Sequence, residues 1–313
     1  MTAQPASALV PILAQHIKGK TILVLGASPN SLGARFLEAI KPAEPGLVIL
    51  GLRNESKAKE VASTLSPVPT RTFTVDFASF ANVRTAAKHV LAMDEKIDVL
   101  VNNIGTMASP YYKTEDGFES QLQLNHLSFF LFTNLIMDKL LASKTRIVNI
   151  TSEGYSIGGI RYHDWNFHDG EAYNPFLGYG QGKTGQILFA SALAAKLGKK
   201  GILAYSVQPG HTRGTNLHSS WGPYTIEQLV GEMRRNGHAG AWNVPEPKSA
   251  DENLANFVLA AFDPALEKDN GAYIRDGKVI PLDDMEPWAV DERQQRKCWE
   301  FSERLVGQTF TYD

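Results

Sequence analysis

Six short β-rich runs recur along the chain: TILVLG (21–26), LVILGL (47–52), RTFTVDF (71–77), IDVLVNN (97–103), RIVNIT (146–151) and ILAYSVQ (202–208). A strand with one wet face alternates apolar and polar residues, whereas most of these runs are nearly continuously apolar. They therefore fit strands covered on both faces, which is what a parallel sheet requires. Between them SLGARFLEAI, VRTAAKHVLAM, FESQLQLNHLSFFLFTNLIMDKLL and YGQGKTGQILFASALAAKL carry helical periodicity. Strand and helix repeated in this way predict an α/β fold with a doubly wound, mostly parallel sheet of about seven strands flanked by helices. The last strand falls in GAYIRDGKVI, after a loop-rich segment, HTRGTNLHSSWGPY, and two further helical patterns. DERQQRKCWEFSERLVG spaces its apolar residues as a C-terminal helix would. With no linker, low-complexity tract or internal repeat, one domain over 1–313 is the simplest count.

Composition narrows the function classes. The chain has 313 residues, 43% of them hydrophobic, enough for one large core. Its net charge is −2 and no lysine and arginine run stands out, so no electrostatic footprint for nucleic acid is present. A single cysteine, Cys298, excludes an internal disulfide and a cysteine-based metal site. His163, His168 and His211 lack a metal-ligand spacing. The N-terminus reads as no signal peptide, and the longest apolar segment, LSFFLFTNLIMDKLL, is interrupted by Asn134, Asp138 and Lys139 short of a membrane span. A cytoplasmic protein is expected.

Two stretches carry chemistry. The first strand runs into GASPNSLGARF, a glycine-containing turn opening a helix, where a parallel sheet places a dinucleotide and where helix N–H groups meet phosphate. An ordinary tight turn is the alternative. In LGYGQGKTGQILF, Tyr179 stands four residues before Lys183, so one helix face brings an ammonium to a phenol and favours its ionised form. Taken alone, a solvated lysine and a packing tyrosine fit the same spacing.

These motifs, in their order, resemble the classical short-chain dehydrogenase/reductase family, in the branch similar to retinol dehydrogenases and fungal reductases of specialised metabolism. The resemblance covers about residues 18 to 310 and implies a Rossmann fold. The family's T-G-x-x-x-G-x-G is matched at Gly26 and Gly33, with Leu25 for the threonine, Ser31 for the middle glycine and one extra residue in the loop. By the resemblance, Gly26, Ser28, Ser31, Leu32 and Gly33 form the phosphate loop, Ser31 through its backbone amide. Asp76 and the Phe77 backbone in VDFAS face the adenine. Asn102, Asn103 and Gly105 of NNIG close a strand against the cofactor, with Ile104 departing from the pattern. Arg53, after the second strand, would pair with a 2′-phosphate, which favours NADP(H) over NAD(H); Lys57 is a weaker second contact. Pro209 and Gly210 turn the chain beneath the nicotinamide, and Thr215, or else Thr212, contacts its carboxamide or the phosphates.

The resemblance also implies a tetrad of Asn125, Ser152, Tyr179 and Lys183. Tyr179 would be the acid in reduction, Lys183 would lower its pKa and hold the nicotinamide ribose, Ser152 would bind the substrate oxygen, and Asn125 would hold a water. Gly182 replaces a common serine, mildly. The chain divides into a core with the tetrad (18–210), a substrate lid (211–247) and C-terminal helices with the last strand (248–313). Aromatics of the long segment between Ser152 and Tyr179, with Trp221 and Tyr224, would line an apolar pocket. The expected activity is an NADP(H)-dependent interconversion of a ketone or aldehyde with an alcohol on an apolar small molecule, as in a ketoreductase. The alternatives are a non-redox cyclase or isomerase on the same scaffold, or a catalytically silent dinucleotide-binding protein. The family often forms homodimers or homotetramers through the helices containing Asn125 and Tyr179; here LSFFLF could equally be covered within the chain.

Overall fold

The computed structural model describes residues 4–212, 224–235 and 246–312. Its sheet has eight strands in the order β3-β2-β1-β4-β5-β6-β7-β8: β1 (Thr21–Leu25), β2 (Leu47–Leu52), β3 (Thr70–Thr74), β4 (Val99–Asn102), β5 (Arg146–Ile150), β6 (Leu203–Val207), β7 (Tyr273–Arg275) and β8 (Lys278–Val279). Strands β1 to β7 are parallel, and β8 returns antiparallel on β7. The single last strand expected from sequence is thus a hairpin, because Asp276 and Gly277 both adopt positive φ and turn the chain there.

Side-chain alternation along β1 divides the core. Leu23 and Leu25 belong to one apolar layer, Ile22 and Val24 to the other. The first layer is covered by helices Phe80–Leu91, Ser128–Leu135, Pro175–Leu197 and Glu292–Val306, the second by Ala6–Ile12, Leu32–Ile40, Glu55–Thr64 and Ala250–Phe262. The helix expected over FESQ to DKLL is broken into a short α-turn (Ser120–Leu122), a π-helical stretch (Gln123–Leu127) and two α-helices (Ser128–Leu135 and Met137–Ser143).

The C-terminal helix answers what covers the LSFFLF face. Trp299 packs edge-on against Phe130 at 5.0 Å and also meets Phe189 and Tyr312, while Phe310 reaches Phe130 at 5.7 Å. Lys196 lies over the Trp299 ring at 4.7 Å. No helix among the described residues is long and apolar enough to cross a membrane.

Trp299→Ala should lower stability by about 3 to 5 kcal/mol in urea denaturation, because the aromatic cluster cannot collapse into the void. Leu91→Ala, at a side chain 44% exposed, should stay within about 0.5 kcal/mol of the parent.

Candidate active site

The strand order reverses between β1 and β4, and open α/β sheets bind ligands in the crevice at such a point. Gly26 ends β1 with φ +93°, and a Cβ there would come within 2.6 Å of the Ile104 nitrogen. Both its conformation and the approach of the neighbouring loop require glycine. Asn103 ties the two strand ends together: its N–H donates to the Leu25 carbonyl (2.9 Å) and its Nδ2 to the Gly26 carbonyl (2.7 Å). Ser31 is the N-cap of the Leu32–Ile40 helix, its Oγ accepting from the Ala34 N–H at 3.2 Å and donating to the Gly26 carbonyl at 3.3 Å. Its amide donates to the Ser28 carbonyl (2.9 Å). The turn itself consumes that donor. Ser28, Leu32 and Gly33 lie around the same helix start.

Arg53 stands at the exposed end of β2, just before the Asn54 cap of the Glu55–Thr64 helix, and its side chain has no ion-pair or hydrogen-bond partner among the described residues. Asp76 uses one carboxylate oxygen to accept from the Ala78 N–H (2.9 Å), and the Phe77 carbonyl accepts from Gln123 Nε2 and Ser128 Oγ. The Phe77 ring is core, edge-on to Phe129 at 4.7 Å. Pro209 and Gly210 follow β6; Gly210 has φ +71°, and its amide donates to Gln208 Oε1 at 3.0 Å. Thr212 is buried, and its Oγ1 accepts from Asn253 Nδ2 at 2.6 Å. Thr215 and Trp221 lie outside the described residues.

The four polar residues singled out by sequence converge. The Pro175–Leu197 helix starts on Asn174, whose Oδ1 accepts from the Phe176 and Leu177 N–H groups, with Pro175 at its first position. That start puts Tyr179 in the second turn and Lys183 in the third, both buried. Ser152, after β5, accepts from the Gly154 N–H (3.1 Å) and hydrogen-bonds the Tyr179 phenol. A Cβ on Gly154 would stand 2.5 Å from the Tyr179 ring, so the turn after Ser152 lies flat on that ring. Asn125, in the π-helical stretch, is clamped on the Thr106 backbone, accepting from its N–H and donating to its carbonyl at 2.9 Å each. Single π-turns inside α-helices concentrate at functional sites. A Cβ at Gly105 would come within 3.2 Å of Asn125 Oδ1 and 3.4 Å of Lys183 Nζ, so the missing side chain there lets the loop after β4 close on both. At Gly182 a Cβ would come within 2.9 Å of the Asn125 Cβ, so the missing side chain there brings the helix against the Asn125 segment.

Electrostatics depart from the expectation that Lys183 lowers the Tyr179 pKa. Burial dominates both groups: it pushes the Tyr179 phenol up to about 12, with the Ser152 hydrogen bond pulling the other way, and pushes Lys183 down to about 7. The ammonium lies 5.7 Å from the Tyr179 ring centroid and donates to the Ile150 carbonyl (2.9 Å) and Gln186 Oε1 (3.1 Å).

Comparison with known proteins decides what this crevice belongs to. A family model described as enoyl-(acyl carrier protein) reductase matches residues 26–242. A short-chain dehydrogenase/reductase of Penicillium roqueforti is 32% identical over 307 residues, covering 93% of this chain and 86% of that protein. Retinol dehydrogenase 14 of Homo sapiens is 31% identical, covering 92% and 87%. The chain belongs to the short-chain dehydrogenase/reductase family. It falls in the retinol-dehydrogenase-like branch. A solved structure of an uncharacterized protein from Mycobacterium Paratuberculosis superposes with a TM-score of 0.71 at 26% identity, covering 95% of this chain and 96% of that one. As a short-chain dehydrogenase/reductase, the chain is an oxidoreductase of the alcohol and carbonyl pair that uses a nicotinamide dinucleotide.

Several residues of this short-chain dehydrogenase/reductase escaped the sequence reading. Glu153, next to Ser152, is buried and accepts from Arg275 Nη1 (3.0 and 3.2 Å) and from the Tyr273 hydroxyl (3.1 Å), anchoring the Ser152 turn to β7. Gln186 lies three residues past Lys183, a helical neighbour of it. Met107, Ala108, Ile157 and Phe176 form an apolar cluster with Tyr179, to which Leu177, Tyr224 and Leu229 add. Of the aromatics between Ser152 and Tyr179, Phe176 joins this cluster. Tyr162 packs on Phe301, Trp165 on Phe118, and Phe167 on Tyr173, so these serve the fold.

Glu153→Ala would leave the Arg275 guanidinium, with 32% of its side chain exposed, without its carboxylate. The expected loss is about 2 kcal/mol, below that for a fully buried pair. Replacing both partners, Glu153→Leu with Arg275→Met, should cost less than Glu153→Ala in urea denaturation. An equal or larger loss would remove the ion pair as the cause.

Proposed function

We propose that the chain is an NADP(H)-dependent reductase of ketones or aldehydes on apolar small molecules, with Asn125, Ser152, Tyr179 and Lys183 as its catalytic residues. The observation that carries the reading is the convergence of a buried phenol, a hydroxyl bonded to it and a buried ammonium at the rim of the crevice. The glycine turn after β1 at the point where the strand order reverses fits a dinucleotide, and the start of the Leu32–Ile40 helix fits its phosphates through the first-turn amides at Leu32 and Gly33. Arg53, exposed and without a partner at the end of β2, fits a 2′-phosphate, the feature that separates NADP(H) from NAD(H). When bound, the nicotinamide supplies the hydride.

The residues of the chain supply the rest. Tyr179 Oη–H donates its proton to the carbonyl oxygen as the carbonyl carbon is reduced, and the phenolate that remains is stabilised by the Ser152 hydroxyl and the Lys183 charge. Ser152 holds the substrate oxygen within reach of the phenol. Asn125, bonded to both backbone groups of Thr106, fixes the loop after β4 beside Lys183. The cluster of Met107, Ile157, Phe176, Tyr224 and Leu229 around Tyr179 favours an apolar substrate, with the segment 211–247 as its cover, and excludes water from the proton transfer. The cofactor core, cover and C-terminal elements act as one domain.

Tyr179→Phe should lower kcat about a thousandfold with a panel of apolar aldehydes and ketones, followed by NADPH absorbance, while NADPH still binds. Arg53→Ala should weaken NADPH about tenfold and leave NADH unchanged in a fluorescence titration. Equal weakening of both cofactors would sink the assignment of Arg53.

A further inference from the structure

Lys183 is a buried ammonium with no carboxylate beside it among the described residues. Burial is the only cause that shifts it, and no charged group contributes. What faces it is neutral: the Tyr179 ring on its own helix, the Ile150 carbonyl at the end of β5, the Asn125 amide of the π-helical stretch and the backbone at Gly105. The carboxylate of Glu153 is engaged by Arg275 and Tyr273. Among the described residues, the one side chain that accepts a hydrogen bond from the ammonium is that of Gln186, through Oε1 at 3.1 Å.

Gln186 is 1% exposed, and its Nε2 has no partner among the described residues. The amide cannot be turned to satisfy that nitrogen, because its NH2 would then face an ammonium that offers donors only. Its backbone carbonyl is reached by Asn149 Nδ2 at 3.4 Å, and Asn149 Oδ1 accepts from Asn102 Nδ2 at 2.8 Å, so a buried polar row backs the residue. A side chain retained for packing alone would be apolar here; a half-satisfied buried amide costs stability. Its oxygen replaces part of the solvation that the ammonium loses on burial.

We propose that Gln186 is a positioning residue for carbonyl reduction, holding Lys183 charged and fixed beside Gly105 and Asn125. The proposal rests on the role given to Lys183 above. An ammonium has three N–H groups, and two are used by Ile150 and Gln186, which leaves the third for a bound molecule.

The test is a titration of the lysine 13Cε resonances of the protein without cofactor, with Lys183 assigned by its loss in Lys183→Arg, in wild type, Gln186→Met and Gln186→Glu. Met keeps the volume and removes the acceptor; Glu keeps an acceptor and adds charge. Lys183 should lose its proton about one pH unit lower in Gln186→Met, a tenfold smaller charged fraction above that point, and higher in Gln186→Glu. In turnover, the fall of kcat for reduction with rising pH should move to lower pH in Gln186→Met, because the charge that stabilises the phenolate is lost earlier. A Lys183 titration that overlays that of wild type in a folded Gln186→Met overturns the proposal, as does an unmoved kcat profile. Should Gln186→Met fail to fold, an unchanged titration in Gln186→Glu overturns it equally. Wild type without turnover on any carbonyl would instead strike the reductase reading, and the lysine titration would still decide whether Gln186 holds the charge.

Discussion

Burying an ammonium without a counter-charge is the constraint around which this site is built. A lysine placed in an apolar interior loses its proton unless neutral acceptors replace water. Here β5 supplies one acceptor through the Ile150 carbonyl and the helix supplies the other through Gln186. Both depend on a close fit between the Pro175–Leu197 helix and its surroundings, and that fit is bought with missing side chains. Gly182 lets the helix meet the Asn125 segment, and Gly185 would otherwise drive a Cβ to 2.6 Å from the His126 ring. His126 is itself buried and held neutral, its pKa pushed down to about 3 by burial. Its Nε2 is 2.7 Å from the Ser302 hydroxyl, which donates to the Cys298 carbonyl, so the ring is tied to the C-terminal helix.

The same crevice is anchored from its far side. The turn carrying Ser152 lies on the Tyr179 ring through Gly154 and is pinned to β7 through Glu153, Arg275 and Tyr273. The last strands of the sheet, remote in sequence, thereby fix a hydroxyl next to the phenol. The C-terminal helix closes the opposite layer, with Trp299 and Phe310 covering the face of Phe130. Each end of the chain beyond β6 thus supports a part of the site that the first two thirds create.

Much of this was legible in the sequence, for physical reasons. Strands buried on both faces announce themselves as apolar runs, and β1, β2, β4, β5 and β6 lie within a residue or two of where those runs begin and end. Tyr179 and Lys183 were visible because a helix fixes what lies four residues apart. The Glu55–Thr64 helix was missed because it buries little beyond Ala58 and Val61 and is polar elsewhere, with Asn54 as its cap. The π-helical stretch was illegible because nothing local breaks the helical pattern; Asn125 is set by its bonds to Thr106, far along the chain. The capping role of the Ser31 side chain was not read from the sequence, although a serine opening a helix is the usual signal for it. Burial of Tyr179 and Lys183, the largest influence on both, was not legible because spacing reveals proximity and not desolvation.

The central claim is that the phenol and the ammonium serve hydride chemistry on a carbonyl and not a rearrangement without net redox change. Its most direct test supplies the protein with NADPH carrying deuterium on either face of the nicotinamide C4, together with apolar aldehydes and ketones, and examines the alcohols formed by mass spectrometry. The account predicts deuterium at the carbinol carbon from one of the two labelled faces. Conversion of a substrate with no label in the product from either face would contradict it.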